Sequence, residues 1–181
     1  GVEKVRSHAR LSFANTVSGT DLIVGARSGS VQLLLYSVFR IGNATSNVSW
    51  SSFADISGWR NVRWAIPISL GDSHRGYRVM GTSTDYFEHF RYADKRPLTF
   101  AEGGPFVETL DAVLGAEVAR KLQYGIGTKL VVTHGIGTDG FGDHDTHPFT
   151  VTGILAPTGT PVDRTVHVSL AGIEAMHLNW D

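Results

Sequence analysis

Apolar residues recur at spacings of three and four at the start of the chain, at Val2, Val5, Ala9 and Phe13, with Lys4, Arg6, His8 and Arg10 between them. That period lays an apolar stripe along one face and predicts an amphipathic helix over about residues 2–18, ending near Ser18-Gly19. Residues 20–26 (TDLIVGA) form a short run rich in β-formers and predict a buried strand. Ser30 then caps VQLLLYSVF, a helix that is apolar nearly all round and so needs cover on most sides. Residues 50–56 predict a short helix before Gly58.

Over residues 59–70 the period falls to two, with Val62, Trp64, Ile66, Ile68 and Leu70 set against Asn61, Arg63 and Ser69, the pattern of a half-buried strand. Pro67 assigns it to an edge or a bulge. Gly71-Asp72-Ser73 reads as the turn of a hairpin whose return strand is residues 76–82, and residues 85–90 as a single helical turn. A composition shift follows, and a subdomain boundary is expected between Thr82 and Pro97.

The second half predicts a strand over 110–114, a helix over 115–122, and a strand over 129–133 paired with 149–155 across a glycine-rich loop. A turn over 157–163, a strand over 166–170 and a helical end over 172–177 complete the chain. Strands and helices mixed without a regular βαβ repeat indicate an α+β fold.

With 181 residues and 41% hydrophobic side chains, the chain is long enough to bury a real core. The absence of cysteine excludes disulfides, thiolate metal sites and a cysteine nucleophile. A net charge of −1 leaves no field to draw it onto nucleic acid, so no nucleic-acid partner is expected. Residues 1–100 nevertheless carry twelve basic and seven acidic side chains, and residues 101–181 four and ten, which suggests two surfaces with different partners. No apolar run reaches the ~18 residues of a membrane span. The chain opens without Met on a phrase already helical, as an excised piece would.

The stretch richest in chemistry runs from His134 to His147 (HGIGTDGFGDHDTH), with three histidines and Asp139, Asp143 and Asp145. Imidazole with carboxylate suits zinc, and His144 and His147, three apart, are the expected core ligands, completed by His134 or an aspartate. A solvated hairpin tip would have the same composition. Within that stretch, residues 135–140 match a dinucleotide glycine fingerprint, but no helix can follow it directly, which such a site requires. Asn43-Ala-Thr and Asn47-Val-Ser are glycosylation sequons in form only. Trp50, Trp59 and Trp64 read as packing, or as the platform of a binding module. No acid, base and nucleophile constellation appears, so no catalysis is expected.

Several segments in order resemble the extracytoplasmic domain of MacB-like ABC transporter permeases, the family with the FtsX-type membrane core. They are GVEKVRSHARLSF, TDLIVGARSGSVQLLLYSVFRIG, YRVMGTSTDYFEHF, DAVLGAEVARKLQYGIGTKLVV and PFTVTGILAPTGTPVDRTVHVSLAGIEAMH. The resemblance implies a periplasmic domain of a bacterial inner-membrane protein with two lobes. A porter lobe would comprise residues 1–85 and 157–181, with the stalk helix at about 2–18, and residues 86–156 would be an inserted Sabre-like lobe. It implies a non-enzymatic part that transmits motion driven by a separate cytoplasmic ATPase, a second permease copy as dimer partner, and a periplasmic adaptor or substrate-binding protein as a further partner. It implies no cofactor, and zinc in the histidine loop would be a departure from the family. The rival expectation is a soluble periplasmic binding module that uses the same loop to bind zinc.

Overall fold

The structure, a computed structural model, describes residues 50–60, 62–134 and 147–178. The helix expected at 2–18, the strand at 20–26 and the helix following Ser30 lie outside these residues. Helix α1 (Trp50–Ser57) forms where expected and is closed at Gly58, whose amide donates to the carbonyls of Ala54 and Asp55.

The two-residue alternation after it does not make a strand: residues 62–68 pair with nothing as a ladder, and β1 begins only at Ser69 and runs to His74. Its partner β2 (Tyr77–Thr82) returns through Arg75 and Gly76, at φ 48° and 85°. Two adjacent left-handed residues suit the right-handed twist of a tight hairpin. Gly71-Asp72-Ser73 is therefore strand and not turn. Gly71, at φ 124°, sits in a bulge where the β1–β2 register shifts between Ser69 and Asp72. A bulge glycine and a turn glycine leave the same mark in a sequence.

After β2 come α2 (Asp85–His89), the small hairpin β3 (Arg91–Tyr92) and β4 (Arg96–Pro97), and β5 (Phe100–Gly103). Strand β6 (Asp111–Leu114) leads through Gly115 into α3 (Ala116–Leu122). The run expected over 129–133 divides into β7 (Lys129–Leu130) and β8 (Thr133–His134). Strand β9 (Phe149–Leu155) matches its expected limits, and a 3-10 turn (Pro161–Arg164), β10 (Thr165–Ser169) and α4 (Leu170–Leu178) follow.

One mixed sheet in the order β5-β9-β6-β10-β2-β1-β8, with β7 also on β9, holds all of these strands but β3 and β4, which pair with each other. β6 with β9 and β2 with β10 run parallel. β6 is buried throughout and β10 over all but its last residue, as strands covered on both faces are, and β10 buries the polar Thr165 and His167 along with its valines. Two residues separate β7 on β9 from β8 on β1, although β9 and β1 stand four places apart in the sheet. The sheet must therefore curl. One core gathers Val79, Leu130, Val132, Phe149, Val151, Val166 and Val168 with Val118 of α3 and Ile173 and Met176 of α4. A second gathers Met80, Val113 and Leu155 under the aromatic residues Tyr86, Phe87 and Phe90 of α2 and its sequel. The fold is α+β, as the sequence indicates. β10 and β6, which lie on either side of the lobe limit expected at 156/157, pair directly.

Candidate functional site

Of the three histidines expected to hold zinc, His144 lies outside the described residues. His134 ends β8, where its backbone pairs with Asp72, and His147 is exposed just before β9. Among the described residues the grouping with metal-ligating atoms is a different one: Asp85, Glu88 and His89 on α2, whose ligand atoms lie within 4.8 Å of one another. An acid at one position with an acid and a histidine three and four later is a helical spacing legible in the sequence, though the three residues are not among the expected ligands. The grouping has an ordinary account, because Glu88 lies 3.9 Å from His89 and the His89 ring stacks on Trp64 at 5.3 Å and 3°. Trp64 is thus half-buried packing, while Trp59 is 57% exposed beyond α1.

A buried polar group with both ring nitrogens hydrogen-bonded is His74, at the end of β1. Its Nδ1–H donates to the Val131 carbonyl at 2.7 Å, and Nε2 accepts from the Tyr124 hydroxyl at 2.8 Å. That pattern is satisfied by the neutral ring. Burial holds the imidazole below its ordinary 6.5; the bond to the Val131 carbonyl works against this, and the Arg75 charge adds to it. Beside it the Ser73 and Thr133 hydroxyls meet at 3.1 Å. Together these bonds fix the segment that carries the chain from β7 to β8 and so fasten the seam of the curled sheet. The sequence gives little warning of this, since GDSHRG reads as an exposed turn.

A second buried histidine, His167 in β10, donates from Nδ1 to the Val113 carbonyl at 3.0 Å and packs against the Tyr86 and Phe87 rings at 5.2 and 5.9 Å. It ties two central strands together, a structural task. Helix α4 is seated with similar care. The Ser169 hydroxyl accepts from the Gly172 amide at 3.0 Å, as an N-cap does, and donates to the Thr109 carbonyl at 2.8 Å. At Gly172 a methyl group would stand 2.6 Å from that carbonyl oxygen and 2.7 Å from the Phe149 ring, so the helix lies directly on the backbone of the turn before β6 and on a β9 side chain.

The bonds of His74, His167 and Ser169 thus fasten strands and helices to one another. The family model described as the MacB-like periplasmic core domain matches residues 5–179, and the chain belongs to that family. It is a periplasmic domain of an ABC transporter permease, an extracytoplasmic part of an inner-membrane protein of a generally non-catalytic family. No curated protein matched the chain. No described helix is long and apolar enough to cross a membrane.

Proposed function

We propose that the domain transmits motion, driven by ATP hydrolysis on a separate cytoplasmic subunit, to a substrate or partner in the periplasm. The observation that carries this reading is the seating of α4, the last described element. A cap bond and a ring contact join it to the sheet and a carbonyl contact to the turn leading into β6, so a displacement of the helix is passed to the sheet rather than absorbed between them. Two copies of the permease would move against each other, and a periplasmic adaptor or substrate-binding protein would receive the motion. The division into a porter lobe (1–85 and 157–181) and an inserted lobe (86–156) belongs to the same proposal, with the β10–β6 pairing as the place where the two would be coupled.

The test uses the intact permease with its ATPase in nanodiscs. Val107 is 87% exposed and this chain has no cysteine, so V107C accepts a spin label. The label-to-label distance between the two copies should change between the nucleotide-free and ATP-trapped states. Identical distance distributions in both states would overturn the reading.

A further inference from the structure

The cleft between α3 and the 3-10 turn has a volume of about 390 Å³ and is lined by Glu117 and Arg120 from the helix and by Pro157, Pro161, Asp163 and Arg164 from the turn side. Its walls are fixed. The Gly115 amide donates to the Thr165 carbonyl at 2.8 Å, and a methyl group on Gly115 would stand 2.2 Å from the Val162 carbonyl oxygen, so helix and turn meet backbone to backbone.

The charged groups of the lining divide into two kinds. Both carboxylates are engaged. Asp163 accepts from the Thr158 amide at 2.8 Å, the Thr158 hydroxyl at 2.8 Å and the Gly159 amide at 2.9 Å, while Glu117 pairs with Lys121 at 3.6 Å. Neither guanidinium is ion-paired among the described residues, and Arg120 and Arg164 come one from each wall, both exposed. The cleft thus offers guanidinium donors on both sides, an Asp163 carboxylate already hydrogen-bonded, a Glu117 carboxylate beside Lys121, and two pyrrolidine rings as apolar wall. Guanidinium forks match carboxylates in shape and charge, and the proline rings leave apolar surface beside them for the carbon stems of acidic side chains.

We propose that this cleft receives an acidic peptide segment of a partner protein, its carboxylates held by Arg120 and Arg164. The inference goes beyond motion transmission and does not depend on it, since a domain can bind such a segment without passing any movement on. The probe is a fluorescein-labelled hexaglutamate peptide added to the 181-residue chain at low ionic strength, followed by polarisation and by amide chemical-shift mapping. Shifts confined to residues 116–120 and 157–164 are expected. R120E/R164E should weaken binding about tenfold, the milder R120Q/R164Q should weaken it in the same direction, and K121E, outside the lining, should change it much less. Shifts centred elsewhere, equal weakening by K121E, or full displacement by inorganic phosphate at matched ionic strength would overturn the proposal. The shift map of the unaltered chain decides even where a variant fails to fold. Loss of peptide binding would leave the spin-label distances unchanged, so the two readings fail separately.

Discussion

Replacing Gly172 with alanine tests how tightly α4 is joined to the sheet. The added methyl would lie 2.6 Å from the Thr109 carbonyl oxygen and 2.7 Å from a Phe149 ring carbon, both far inside normal contact. The ring, 1% exposed in a filled core, has nowhere to go, and the carbonyl is held by the Ser169 hydroxyl. Overpacking of this kind costs about 1–3 kcal/mol. The substitution also removes a glycine from a helix, which by itself returns about 1 kcal/mol. Because backbone blocks one side of the methyl, the upper part of the range applies, and the net loss should be about 1–2 kcal/mol. Urea unfolding followed by circular dichroism measures it, with Glu174→Ala on the exposed side of the same helix expected within about 0.5 kcal/mol of the parent. Gly172→Ala with Phe149→Leu should still carry the carbonyl clash. If Gly172→Ala equals or exceeds the parent in stability, α4 is not seated on the sheet as described, and the support for its role in transmission goes with it.

Asp111 is buried and accepts from the Val107 and Glu108 amides at 2.8 and 2.7 Å; Asp111→Ala strands both donors and should cost about 1–3 kcal/mol in the same unfolding assay. For His74 the folded pKa lies below the unfolded 6.5, so the unfolded chain takes up the proton first as pH falls. The stability it contributes is present above pH 6.5 and is lost on acidification below that, and His74→Gln should flatten the decline in urea midpoint on the acid side; an unchanged slope would refute the burial argument. Zinc binding through His134, His144 and His147 remains a proposal, for which calorimetry should show zinc heat that disappears in H144A/H147A, and equal heats in the two proteins would dismiss it.

The elements that the sequence announced best are those bounded by strong punctuation. β9 stands between Pro148 and Pro157 and is a run of β-formers, and α3 starts one residue after Gly115 and ends at Leu122 before the left-handed Gln123. The misreadings share a cause, which is that a local pattern was resolved by distant partners. Residues 62–68 alternate well, yet no neighbouring strand runs beside them. The 129–133 run is locally one strand, but β9 holds its first half and β1 draws away its end. The same limit hid the tether at His74, since its partners Tyr124 and Val131 lie some fifty residues on and the surrounding glycines suggested solvent. The α2 grouping was legible by spacing alone, whereas the cleft at Arg120 and Arg164 needed the turn to be folded against the helix before it existed at all.

The parallel pair β2 and β10 has a mechanical consequence. Five register positions join them, from Thr165 opposite Arg78 to Ser169 opposite Thr82, and β6 grips β10 on its other side at three more. β10 runs straight into α4, so a pull on the helix draws the strand lengthwise between two neighbours. Under such shear the rungs of both ladders bear the load at once, whereas a force applied across a hairpin would open its bonds one at a time. A tug on this helix therefore meets a stiff coupling, and the sheet should travel as a piece before any single strand gives way.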